Sequence, residues 1–211
     1  MRKTYRQFCG VARALDLVGE RWTLLIVREL ILGERRYNDL LDALPGITTN
    51  LLANRLSDLQ EAQIIEKTHS GGYVLTERGK RLEPAIMALG AWGWETMADG
   101  PRKGDRVDLN WLMVSLKRRF QWCGADWIVE IRGTTRTIQL EAKEGNFFRT
   151  LGTSKYPDII LRGEDPWFRA FFLGLETLAS LVKAGRIDII EGASGKGSTA
   201  LKELKKSFSL R

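Results

Sequence analysis

Metal-binding and nucleophilic chemistry are poorly provided for in this chain. One histidine and two cysteines occur in 211 residues, and His69 stands far from both Cys9 and Cys123. A structural zinc site takes four nitrogen or sulfur ligands, and a serine triad needs a histidine oriented by an acid; no spacing here supplies either. Two cysteines are too few for a disulfide framework, so a reduced compartment is expected. Long apolar runs are also missing: no stretch of about eighteen residues suits a bilayer. The opening MRKTYRQFCGVARALDLVGERW interrupts its apolar positions with charges, unlike a secretory signal. A cytoplasmic location and no membrane partner are expected. Neither a glycine-rich phosphate loop nor a nucleophile elbow is present, and EGASGKGSTA lacks Walker spacing, reading instead as a turn into a last helix. These absences point away from an enzyme, a metal and a cofactor.

What is present suits a globular protein of one large or two small domains, with 44% hydrophobic residues to build a core. The net charge of +7 invites a polyanionic partner. Its distribution is uneven, with 13 basic against 13 acidic residues in 1–100 and 20 against 13 in 101–211. A nucleic-acid argument for the first half therefore rests on local placement. Composition shifts at DGPRKGDRVD, which predicts a domain at 1–100, a linker at 101–107 and a second domain at 108–211.

Apolar periodicity predicts helices over Val11–Leu17, Arg21–Leu32, Tyr37–Leu44, Thr49–Ala62 and Lys80 to about Met97. After the linker it predicts a helix over Leu109–Phe120 and strands in DWIVEIR, TIQLEAK, NFFRTLG and DIILRG. Two helical segments, a strand in RIDIIEG and a basic helix over Ser198–Phe208 complete an α+β chain.

The segment GITTNLLANRLSDLQEAQIIEK carries Leu52, Leu56 and Leu59 at i, i+4 and i+7, an apolar face for a core. Its opposite face carries Thr49, Asn50, Ala53, Asn54 and Ser57, short and uncharged, without the Glu/Lys mixture of a merely solvated helix. YNDLLDAL before it is a short helix, PGI breaks it, and Thr48 is a good N-cap for the next. That is helix-turn-helix spacing. IIEKTHSGGYVLTERG then reads as two short strands about a Ser-Gly-Gly tip, a wing beside the second helix. Short polar side chains on an exposed helix can reach base edges in a major groove, and Asn pairs bidentately with adenine. Thr48 and the five residues of that face are the candidate base readers. Arg36, rather than Arg35, is the expected phosphate contact at the start of the first helix, and Lys67 and His69 are the wing's expected contacts. Two readings stay open for Arg55: a phosphate contact, or an ion pair with Asp58 at i+3.

Residues CGVARALDLVGERWTLLIVRELILGERRYNDLLDALPGITTNLLANRLSDLQEAQIIEK, YVLTERG and LEPAIMALGAWG resemble the HxlR-type winged helix-turn-helix transcription regulators of bacteria. The resemblance covers about the first hundred residues. It implies a dimeric DNA-binding repressor or activator joined through its N-terminal segment and the long helix after the wing, acting on a two-fold operator. The family often has Cys-Pro where this chain has Cys9-Gly10. For some relatives it implies a redox switch, which makes Cys9 a second candidate site, flanked by Arg6 and Arg13.

PDIILRGEDPWFRAFFLGLETLASLVKAGRIDIIEG is similar in pattern to the sterol-carrier-protein-2 type of lipid-binding domain. That likeness implies a mixed sheet covered by helices around an apolar small molecule. Trp127, Val129 and Ile131 alternate onto one strand face, and Trp167, Phe168, Phe171 and Phe172 crowd one helix. They either line a cavity or fill an ordinary core. The leading reading is a homodimeric transcription regulator tuned by a hydrophobic ligand. The alternatives are a Cys9 redox regulator, and a lipid-transfer protein whose helix-turn-helix is structural only.

Overall fold

The computed structural model describes residues 4–97, 102–106, 108–192 and 194–208. The chain folds as two compact units, Met1–Arg106 and Val107–Arg211. Of the expected linker at 101–107, positions 101 and 107 lie outside the described residues. Between them the Arg102 N–H donates to the Asp105 carboxylate at 2.8 Å and the Asp105 N–H donates back to the Arg102 carbonyl at 3.0 Å. This turn is anchored on the first unit, where Arg106 donates to the Asp42 carbonyl at 2.7 Å.

The first unit runs α1 (Gly10–Val18), α2 (Thr23–Leu30), α3 (Tyr37–Ala43), α4 (Thr49–Glu61), β1 (Ile65–Lys67), β2 (Tyr73–Leu75), α5 (Glu77–Lys80) and α6 (Glu83–Trp94), then a 3-10 turn at Glu95–Met97. Two expected helices are shorter than their periodicity. α2 begins only at Thr23 because Trp22 sits at φ 79°, a left-handed conformation that a right-handed helix cannot include. The long helix from Lys80 is broken at Arg81–Leu82. Pro84 lies in the first turn of α6, where its missing N–H leaves no bond unmade. Before the break, the Thr76 hydroxyl caps α5 by accepting from the Gly79 N–H at 3.0 Å. A Cβ at Gly79 would collide with the Ile64 carbonyl, so α5 lies close against the chain entering the wing only because glycine stands there.

β1 and β2 pair antiparallel as the wing. Arg35 joins β2 by an isolated antiparallel bridge, exchanging backbone bonds with Tyr73 at 3.1 and 2.8 Å. The core gathers Ile26, Val27, Leu40, Leu52, Leu56, Leu59 and Ile65, all fully buried. Each such side chain contributes about 1.5–3 kcal/mol by leaving water.

The second unit is a five-stranded mixed sheet in the order β5-β4-β3-β6-β7. Its strands are β3 (Trp127–Arg132), β4 (Thr137–Lys143), β5 (Asn146–Leu151), β6 (Ile159–Gly163) and β7 (Ile187–Glu191). β3, β4 and β5 form an antiparallel meander. β6 returns to lie parallel to β3, and β7 closes antiparallel on β6. The helices are α7 (Leu109–Arg119), α8 (Asp165–Leu173), α9 (Leu178–Lys183) and α10 (Gly197–Ser207). α10 packs across β3, β6 and β7, and α7 packs beside α8. Phe120, following α7, stacks on Phe147 of β5 at 5.3 Å, and Phe208, following α10, meets Trp127 at 6.3 Å. The sheet face bearing Trp127, Val129 and Ile131 is thus the covered one.

In β3, alternation fails at one residue. Glu130 points to the other face of β3 yet is fully buried. The loop after β5 folds over it, with the Ser154 N–H donating to its carboxylate at 2.7 Å and Arg132 Nε at 2.6 Å.

Candidate nucleic-acid interface

The helix-turn-helix is set by three local devices. The Asp39 carboxylate accepts the Arg36 N–H at 3.0 Å at the start of α3, and the Thr48 hydroxyl accepts the Leu51 N–H at 3.3 Å at the start of α4. Tyr37 donates its hydroxyl to the Thr49 carbonyl at 2.8 Å, fixing the second helix against the first. With Leu52, Leu56 and Leu59 sealed beneath, the opposite side of α4 is turned outward. Thr49, Asn50, Ala53, Asn54 and Ser57 are all exposed. Among the described residues, the Asn50, Asn54 and Ser57 side chains make no hydrogen bond, so their donors and acceptors stand ready for an external partner.

The arginines divide by burial. Arg35 is buried, with an Nη 3.8 Å from Glu29, whereas Arg36 is exposed beside the first helix. Arg55 takes the ion-pair alternative and extends it. Its guanidinium reaches Asp58 at 3.0 Å and Glu20 at 2.9 Å, and Nε approaches the Arg21 carbonyl at 3.4 Å, so it braces α4 against the turn before α2. Lys67 and His69 are exposed on the wing.

Glu34 is a residue that pattern reading passed over. Its carboxylate accepts from the Thr68 hydroxyl at 2.8 Å and from the Ser70 hydroxyl, gripping the wing tip next to His69. These hydroxyls, Ser70 foremost, hold its carboxyl below the usual carboxylate range. The partners are 34 and 36 positions away, and no local spacing announces such a contact.

Cys9 is exposed at the N-cap of α1. Its thiol is lowered from the ordinary value by the backbone N–H groups of Ala12 and Val11. The helix start, rather than the flanking Arg6 and Arg13, is the cause.

In the second unit, Trp127, Val129, Ile131, Phe168, Phe171 and Phe172 are packed in the core, with the Phe171 and Phe172 rings 5.0 Å apart. Trp167 stands apart from them, half-buried beneath the Arg186 guanidinium at 4.7 Å. Among the described residues no group of three or more His, Cys, Asp or Glu is placed to hold a metal ion, and no helix is long and apolar enough to cross a membrane.

Comparison with known proteins bears on the first unit. A family model described as HxlR-like helix-turn-helix matches residues 17–100. An uncharacterized HTH-type transcriptional regulator of Synechocystis is 37% identical over 87 residues, which cover 38% of this chain and 64% of that protein. The chain therefore spans just under two thirds of that relative's length. The HTH-type transcriptional regulator YodB of Bacillus subtilis is 32% identical over 85 residues, covering 37% of this chain and 76% of YodB. Among solved structures, quinone-bound YodB from B. subtilis matches at 31% identity over 42% of this chain and 99% of its own, with a TM-score of 0.39. The redox regulator HypR in its reduced form matches at 29% identity over 43% and 95%, with a TM-score of 0.40.

Proposed function

This chain belongs to the HxlR-like helix-turn-helix family, and from that premise we propose that it is a cytoplasmic bacterial regulator of transcription. It binds a two-fold duplex site as a homodimer, and its second unit tunes that binding through an apolar small molecule. The observation that carries this reading is the outward face of α4, where Asn50, Asn54 and Ser57 are exposed and have no hydrogen bond among the described residues. Thr48 and Thr49 at the start of the helix, and Ala53 between the asparagines, complete a surface without bulk or charge to obstruct a groove. Arg36, Lys67 and His69 flank it at the positions where a duplex backbone would pass.

The dimer reading is supported by apolar surface that the first unit does not cover. Phe8, Val11 and Leu15 at the N-terminal side, and Leu89, Trp92 and Trp94 on α6, are exposed. A helix with such a stripe needs a partner to bury it. Gly90 and Gly93 support the same reading, since a Cβ at either would meet nothing within 4 Å. The unit's own packing does not demand glycine there, and the missing side chains let another helix approach closely. The ligand reading is supported by the second unit's separate core and by its mixed sheet packed with helices, the architecture the sterol-carrier likeness implies.

Selection of bound duplexes from a random library tests the DNA reading. The expected product is an inverted repeat whose half-sites lie about one helical turn, roughly 34–36 Å, apart or a multiple of it. Recovery of no common sequence would reject it.

A second reading, redox control at Cys9, is favoured by one observation: the thiol is exposed and its pKa is lowered by the start of α1. A depressed pKa means that thiolate, the reacting species, persists to lower pH than in an ordinary cysteine. In a Cys123→Ser background, Cys9 should alkylate faster than a free thiol near neutral pH and keep that advantage as pH falls. Mild peroxide should weaken DNA binding in this protein and leave Cys9→Ser unaffected. DNA binding that ignores peroxide in both would remove the redox reading.

A further inference from the structure

The covered face of the second unit's sheet holds one charge that nothing offsets. Arg149 lies on β5, directly across from Leu140 and two residues after Phe147, so it takes its place in the apolar layer of Val129, Leu140 and Phe147. It is 5% exposed. Its Nε is sealed from solvent without an acceptor, and among the described residues its guanidinium makes neither a hydrogen bond nor an ion pair. The terminal nitrogens keep contact with solvent. Burying a cation without a counter-charge is destabilising, and a well-packed apolar residue would serve the fold better. Helix α7 of the same unit also buries polar groups without partners among the described residues. Asn110 is 1% exposed and neither its amide oxygen nor its amide nitrogen has a partner. β5 is the last strand of the sheet, which gives a molecule an approach to Arg149 from the edge.

We infer that the second unit binds an organic carboxylate with an apolar body, whose anionic group is held by Arg149. A guanidinium fork matches a carboxylate bidentately, and the apolar neighbours Leu140 and Phe147 favour a ligand whose body is apolar. The inference rests on the reading of this unit as the ligand-binding half, and it adds the charge of the ligand and the residue that selects it. Excluding the neutral analogue costs nothing further, since a neutral molecule leaves the guanidinium unpaired.

The test uses the full chain, stripped of carried lipid, with cis-parinaric acid and its methyl ester as fluorescent probes. The acid is expected to bind at least tenfold more tightly than the ester. Arg149→Met should remove that preference while melting no lower than the unsubstituted protein, because the uncompensated charge is gone. Arg149→Lys should restore part of the preference. Equal binding of acid and ester would overturn the inference while leaving an apolar ligand unit in place. An acid preference that survives Arg149→Met would overturn it as well, by putting the anion elsewhere. If neither probe binds, the ligand reading fails together with this inference, and the DNA reading is untouched. Should Arg149→Met fail to fold, the acid–ester comparison in the unsubstituted protein still decides whether charge is selected, and Arg149→Lys whether Arg149 selects it.

Discussion

Asn50→Ala and Asn54→Ala should each weaken binding to the selected site by about 1–3 kcal/mol, roughly fivefold to 150-fold, while binding to random duplex changes little. Both side chains are exposed and outside every internal hydrogen bond among the described residues. Removing them therefore leaves no partner stranded in the protein, and thermal stability should stay within about 0.5 kcal/mol. The loss falls on the base edge that was being read. Arg36→Ala supplies the contrast. A phosphate contact carries no base information, so this variant should weaken both duplexes alike and lower the slope of log K against log salt by about 1. Fluorescence anisotropy on the two duplexes across a salt series measures all three variants. Equal losses on selected and random DNA for the asparagine variants would remove them from base readout.

Trp92→Asp should dissociate the proposed dimer and with it cost the proposed two-fold site at least a hundredfold in affinity. Trp92 is 68% exposed and Leu89, one turn earlier, 50% exposed. An indole covering about 150–250 Å², two thirds of it still available, offers roughly 2–4 kcal/mol per protomer when another surface covers it. A carboxylate in its place brings a desolvation penalty to that contact and repels its two-fold mate. The second half-site then binds as a separate molecule, and the advantage of a linked pair is lost. The isolated fold should survive, since the side chain contributes little to the first unit's own core. Sedimentation velocity and anisotropy check the two halves of the claim. A variant that stays dimeric and binds the site normally would place the interface away from α6.

Much of this protein is legible one segment at a time. Leu52, Leu56 and Leu59 announced the buried side of α4, Thr48 its start, and the Ser-Gly-Gly tip the wing. Trp127, Val129 and Ile131 announced the covered face of β3. Each of these signals depends on neighbours within a turn or two of chain, where periodicity and capping act. The family resemblance adds to them because the same local signals recur in the same order.

Other features lie beyond any local pattern. That Arg55 braces α4 against Glu20, 35 positions away, was decided only when α4 packed against the turn before α2, and the alternatives at that residue could not be separated before. The same holds for Glu34 on the wing tip and for the bridge between Arg35 and Tyr73. Glu130 lies on the strand face opposite Trp127, Val129 and Ile131, and is buried because the loop after β5 crosses over it. Arg149 is one of 20 basic residues in 101–211, and only the pairing of β5 with β4, which sets it in line with Leu140, made it a buried cation without a hydrogen bond or ion pair among the described residues. Local sequence determined which faces are apolar and where elements start. Tertiary structure decided which charges are paired, because pairing depends on what distant segments bring within about 4 Å, and neither composition nor spacing encodes that distance.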